Sequence, residues 1–181
     1  MLQKMSMLAL VAGVACSFAA SSDDSLVRFR GGIGVIPVSS AAGTANADGT
    51  FPSVTKNVVR GVNPPTQIWV IADLSADVSA DGHIRVRGKG LLLAGGNAVG
   101  GPGGQNVFAT LICEAAAPFT LRNTTLTGVP LQANGDFEID DQLTPAPTTC
   151  ASPVLLIRNV PGMWFAAGIP DLHEDHSRGG H

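Results

Sequence analysis

Two stretches of this chain repeat one pattern. Alternating apolar and polar residues run up to a three-residue segment ending in Gly, and alternation then resumes. In the first stretch Ala80-Asp81-Gly82 joins Ser75-Ala76-Asp77-Val78-Ser79 to His83-Ile84-Arg85-Val86-Arg87. Strand side chains alternate faces, so a one-residue slip in pairing would turn every side chain over. A two-residue turn would set Val78 against Arg85 and mix core with charge. A three-residue loop sets Val78 against Ile84, Ala76 against Val86, Asp77 against Arg85 and Asp73 against Lys89. That register separates an apolar face from a polar one, and Gly suits the left-handed position that closes such a loop. Ala133-Asn134-Gly135 repeats the device, pairing Leu131 with Phe137 and Val129 with Ile139. Pro130 cannot donate to a ladder, so its strand should be an edge or bulged.

Hairpins with one apolar and one polar face belong to antiparallel sheets that cover a core on one side. The rest of the chain continues in this style. Its 22 Gly and 12 Pro, without a collagen-like period, punctuate short β-rich runs. Strands are predicted over 58–62, 67–73, 75–79, 83–93, 106–115, 119–127, 136–143, 154–160 and 163–167, with 27–30 and 33–38 before them. Val154-Leu155-Leu156-Ile157 is apolar at every position and should lie centrally or be covered on both faces. Beyond the first twenty residues no helical period of useful length stands out. Short strands at this spacing suggest a sandwich or a barrel. The expected architecture is an all-β, antiparallel, Greek-key-like β-sandwich of about eight to nine strands closed by one disulfide. The core unit is expected over 57–170. A strand with a Ser/Ala/Gly-rich loop precedes it over 20–56, and a flexible tail follows over 171–181.

The first segment reads as an export signal. Lys4 gives a positive start, Met5 to Ala15 is apolar and too short to span a bilayer, and Ser17-Phe18-Ala19 suits cleavage after Ala19. A second reading cleaves before Cys16 and anchors the chain there by a lipid. The site Gly13-Val14-Ala15-Cys16 lacks the Leu usual at its first position. No other segment is apolar and long enough to span a membrane. Export leaves Cys113 and Cys150 in an oxidising compartment as a candidate structural disulfide closing a 37-residue loop. The chain-entropy model assigns such a loop roughly 4 kcal/mol. Two separate buried thiols are the alternative, and a metal site lacks further ligands at a usual spacing. The face shared by Val107, Ala109, Leu111 and Cys113 would aim the bridge across the core or at its rim.

Several pieces in order carry a resemblance. They are Ile68-Trp69-Val70-Ile71, Ala80-Asp81-Gly82 leading into Arg85-Val86-Arg87-Gly88, and the strand ending in Cys113. Asn134-Gly135-Asp136 follows, then Cys150 shortly before Pro153-Val154-Leu155-Leu156-Ile157-Arg158, and last Trp164-Phe165-Ala166-Ala167. From about Asn57 to Gly168 the chain resembles a group of exported, mostly bacterial proteins to which no activity is assigned. The resemblance implies an all-β secreted domain with one Cys pair, and it implies no chemistry.

No residue pattern rises to a catalytic signature. Asp136, Glu138, Asp140 and Asp141 form the densest acidic cluster, but neighbours on one strand face do not oppose each other across a substrate as glycosidase carboxylates do. Arg85, Arg87 and Lys89 line an outer face. They could hold an anionic glycan or head group, but the cross-strand partners Asp77 and Asp73 favour a neutralised surface. The tail holds His173, His176 and His181 among carboxylates, a weak candidate for Zn²⁺ or Cu²⁺ in a segment expected to be mobile. The Gly-rich run 95–104 lacks the ending of a phosphate loop. Trp69 falls in an apolar run and should be core. Trp164 follows Pro161-Gly162, near a surface edge, and is the best candidate ring for a ligand. Formal net charge is −3, which disfavours nucleic acid as a partner. No cofactor is expected. The resulting expectation is a non-enzymatic exported domain with a structural or interaction role, its partner an envelope protein or a glycan. The alternative is a ligand-binding module using Trp164 and loops at one end of the sandwich.

Overall fold

The computed structural model describes residues 25–40, 47–48 and 55–171. The leader with Cys16 and the tail histidines His173, His176 and His181 lie outside the described residues. The strands are β1 (Ser25–Gly34), β2 (Val38–Ser40), β3 (Thr55–Lys56), β4 (Trp69–Val70), β5 (Asp73–Ser79), β6 (His83–Lys89) and β7 (Leu92–Leu93). They continue with β8 (Asn106–Ile112), β9 (Arg122–Asn123), β10 (Val129–Pro130), β11 (Phe137–Gln142), β12 (Val154–Asn159) and β13 (Trp164–Pro170). No helix occurs among the described residues.

One sheet holds most of them, in the order β10-β8-β12-β13-β1-β5-β6-β11, with β9 also beside β8. Every pairing is antiparallel. The sheet curls until its ends meet. Asn123 of β9 exchanges two backbone hydrogen bonds with Thr144, just past β11, at 3.0 and 2.9 Å. The all-β, antiparallel, disulfide-closed architecture is therefore as expected, and its main sheet nearly closes into a barrel. Such closure removes most of the free edge that would otherwise template aggregation. Small ribbons pair β2 with β3 and β4 with β7.

The first hairpin has the register that its alternation demands. Val78 faces Ile84, Ala76 faces Val86, Asp77 faces Arg85 and Asp73 faces Lys89. The loop closes with Gly82 N donating to Ser79 O at 2.9 Å, Gly82 having φ +90°. The second hairpin forms only at its turn, where Gln132 N donates to Asp136 O at 2.9 Å. Beyond that its arms part. Val129 and Pro130 pair with Val107 and Asn106 of β8, and Phe137 and Ile139 pair with Gly88 and Val86 of β6. The expected pairs Leu131–Phe137 and Val129–Ile139 are thus replaced. Pro130 offers no N–H to a ladder, whereas β6 offers β11 six consecutive partners. The Phe137 ring also needs Gly88 opposite, because a Cβ there would overlap it.

β1 corrects the expected domain boundary. Expected ahead of the core unit, it lies in mid-sheet between β13 and β5, with its Phe29 and, just past its end, Val35 fully buried. A bulge between Phe29 and Gly32 offsets its pairing with β13, and Gly31 at φ +86° supplies the extra residue. Such a bulge bends and twists a strand, which a curling sheet requires. Segment 58–62, expected as a strand, is instead a tight turn bridging Val59 to Val62. Segment 119–127 contributes only the two residues of β9.

Leu155, Leu156 and Ile157 of β12 are fully buried, as a central strand between β8 and β13 requires. Apolar side chains from every long strand fill the interior, including Phe29, Leu74, Val86, Leu111, Ile139 and Ile157. Outside the sheet, Trp69 of β4 stacks on Phe165 with ring centroids 4.1 Å apart. Cys113 and Cys150 form a disulfide, with Cα atoms 4.4 Å apart. It joins the end of β8 to the approach to β12, so of the two placements expected it clamps the rim.

Candidate binding face

The outer faces of β1, β5, β6 and β11 carry two rows of polar side chains set by strand register. The first row reads Arg28, Asp77, Arg85, Asp140 across the four strands. The second reads Arg30, Ser75, Arg87, Glu138. Alternation produces both rows. Phe29, Ala76, Val86 and Ile139 lie between them in sequence and are buried, so their neighbours must face out.

In the first row opposite charges alternate without a break. Arg28 Nε donates to Asp77 Oδ2 at 2.8 Å, and Arg85 Nε donates to Asp140 Oδ2 at 3.1 Å. Asp77 stands opposite Arg85 in the ladder as expected, but its close ionic partner is Arg28. Asp140 also meets His83 Nε2 at 2.6 Å. The hydrogen bond from His83, and then that from Arg85, hold the Asp140 carboxyl below its usual range. In the second row Arg87 Nε donates to Glu138 Oε1 at 3.1 Å, and Arg30 Nε lies 3.8 Å from Asp171 Oδ2. A depression of about 360 Å³ opens on this face, lined by Arg30, Ser75, Ala76, Asp77, Arg85 and Arg87.

The four clustered acids do not converge. Asp136 accepts from Gly90 N at 3.0 Å and braces a loop. Glu138 and Asp140 belong to the rows above. Asp141 accepts from Thr125 N at 2.8 Å beside the sheet closure. Burial pushes its pKa up, but hydrogen bonds from the Thr125 and Gln142 backbones and the Thr125 side chain together outweigh it, and the pKa is lowered. His83 and Asp140 make a His–acid pair, but it shares its carboxylate with Arg85 and stands outside the depression. Among the described residues no group of three or more His, Cys, Asp or Glu is placed to hold a metal ion.

Trp164 corrects the expected ligand ring. It is 4% exposed, and its indole Nε1 donates to Asn57 O at 3.0 Å. Segment 57–65 passes over it, with Trp164 N bonded to Asn63 O, so Trp164 offers no face for stacking. Trp69 is core as expected. The loop-end ligand site therefore loses its ring, and the exposed polar side chains gather on the sheet face instead. Arg28, Arg30 and Ser75 were not legible as members of that face. A usable signal existed in Arg28-Phe29-Arg30 and Arg85-Val86-Arg87, the same cation-apolar-cation triplet twice.

Other arginines are structural. Arg60 Nη1 donates to Ile112 O at 3.1 Å and Ser152 O at 2.6 Å, beside the disulfide. Arg122 Nη2 donates to Glu114 Oε1 at 2.8 Å. That bond is the main cause that takes the Glu114 pKa down to about 2. Arg158 donates from Nε and Nη2 to Gly162 O and lies 5.2 Å over the Phe108 ring. Its burial lowers its pKa from the ordinary guanidinium value.

The chain was compared with family models, with curated proteins and with solved structures. It matches none of them.

Proposed function

We propose that this protein is an exported, non-enzymatic binding domain that engages its partner through the outer face of β1, β5, β6 and β11. The observation that carries this reading is the pair of charged rows, built on regular strands and opening onto a depression with three arginines in its wall. Side chains on paired strands are held in fixed relative positions, so recognition there needs little ordering on binding. The disulfide and the resemblance to exported proteins support a role at the cell envelope or outside the cell. No helix among the described residues is long and apolar enough to cross a membrane.

Two measurements test the reading. In the first, the immobilised protein is presented with soluble envelope glycans and the Arg85→Ala/Arg87→Ala pair is run beside it. Retention should fall in the pair, while retention unchanged by it would remove the sheet face from the account. In the second, the full chain is expressed in a bacterium and fractionated. The expected product lies outside the cytoplasm with Cys113 and Cys150 blocked to alkylation. A cytoplasmic product with both thiols free would defeat the export reading. The Cys16→Ser variant then separates free release, which it leaves unchanged, from a lipid anchor, which it abolishes.

A further inference from the structure

The two rows differ at one position. The first row alternates in sign at every strand: Arg28, Asp77, Arg85, Asp140. The second, extended to the acid beside Arg30, reads Asp171, Arg30, Ser75, Arg87, Glu138. Where alternation calls for an anion it has Ser75, a neutral hydroxyl between two guanidinium groups. Directly opposed side chains on neighbouring strands start about 5 Å apart, so both arginine forks can reach over Ser75. Arg30 and Arg87 are 64% and 73% exposed, and both line the depression. Like charges flanking a neutral position repel, and a bound anion would relieve that repulsion.

We propose that the gap at Ser75 binds the carboxylate of an acidic sugar residue, held between Arg30 and Arg87 with the Ser75 hydroxyl as a further donor. This rests on the binding-face reading and names its ligand. A planar guanidinium fork matches a carboxylate in bidentate geometry. The surroundings select an anion that also brings hydroxyl donors. Asp77 and Glu138 flank the gap as acceptors, so they disfavour an anion that brings no hydrogen-bond donors, such as the phosphates of nucleic acid or of a strongly anionic membrane. A uronic acid chain presents hydroxyls between its carboxylates, and Asp77 and Glu138 can accept from those hydroxyls. Acidic peptides supply the carboxylate but lack the hydroxyls. No aromatic ring belongs to either row, so attraction rests on charge and falls steeply with salt.

The test is an amide NMR titration of the purified protein with trigalacturonate, with maltotriose and triglutamate beside it. Ser75→Asp places a carboxylate of the chain's own in the gap, and Arg30→Gln/Arg87→Gln removes the clamp. Dispersed amide spectra establish that both variants fold. The proposal expects trigalacturonate to shift the amides around Arg30, Ser75 and Arg87, with maltotriose inactive. Affinity should fall about tenfold or more in both variants. It should also fall between about 20 and about 150 mM salt. Equal binding by Ser75→Asp overturns the site. If the shifts then map to Arg85, His83 and Asp140, the binding face survives and only the Ser75 gap is wrong. Triglutamate binding as tightly as trigalacturonate replaces the sugar with an acidic peptide. No shift on this face with any probe rejects the site, and retention of envelope glycans that still depends on Arg85 and Arg87 would keep the broader reading apart from it.

Discussion

The same residue type does opposite work on two sides of this domain. Around β8, β9 and β12, arginines are partly buried and spend their donors on backbone and buried partners. Arg60 ties segment 57–65 to Ile112 and Ser152, Arg158 locks the β12–β13 turn through Gly162, and Arg122 pairs with Glu114 at 12% exposure. Across β1, β5, β6 and β11 the arginines Arg30, Arg85 and Arg87 are between 64% and 73% exposed and meet only other surface side chains. A guanidinium out of water needs partners for its donors, a need met at Arg158 and left open at Arg122 Nε, and removing Arg60 or Arg158 leaves carbonyls unpaired. A guanidinium in water makes ion pairs worth little to stability and remains open to a ligand. Location therefore divides these arginines into pins and contacts.

The comparison can be broken from the pinned side first. Replacing Cys113 and Cys150 by Ala should cost about 4 kcal/mol, measured as urea unfolding of the variant against the oxidised protein. A loss below about 1 kcal/mol would show that the arginine pins hold that rim alone. Arg158→Ala should cost about 2 to 3 kcal/mol, because Gly162 O and Thr110 Oγ1 lose charged donors and Phe108 loses its cover. Glu114 gives a pH signature on the same side. Its folded pKa of about 2 lies below the 4.5 of a free glutamate side chain, so the unfolded chain binds the proton more readily. Stability from this group is fully present above about pH 4.5 and is lost as pH falls toward about 2. A melting-temperature profile should show that loss, and Glu114→Gln should flatten it within the same window. The smallest effect belongs to the exposed side, where Arg30→Ala or Arg87→Ala should change stability by no more than about 0.5 kcal/mol.

The legible parts of the fold were the local ones. Ala80-Asp81-Gly82 sets a register that needs only adjacent residues, and both faces of that hairpin followed from alternation. The apolar run at Leu155-Leu156-Ile157 marked a central strand because its neighbours in sequence carry the information. What stayed hidden was non-local. The choice of β6 over β10 as the partner of β11 depends on Gly88 making room for Phe137, two residues far apart in the chain. β1 is hard to read because its bulge between Phe29 and Gly32 interrupts the alternation that marks a core strand. Trp164 reads as a surface ring because Pro161-Gly162 signals a turn, whereas its cover, segment 57–65, lies about a hundred residues away in sequence. The binding face was half visible. Arg85 and Arg87 stood out, but Arg30 and Ser75 join them only through the β1–β5 and β5–β6 pairings.

The division of the arginines is tested most directly by one set of urea-unfolding curves, with Arg30, Arg60, Arg87 and Arg158 replaced singly by Ala under identical conditions. The account predicts that the Arg60 and Arg158 variants each lose at least about 2 kcal/mol while the Arg30 and Arg87 variants stay within about 0.5 kcal/mol of the parent. Losses at Arg30 and Arg87 equal to those at Arg60 and Arg158 would contradict it, because the charged face would then be part of what holds the fold together.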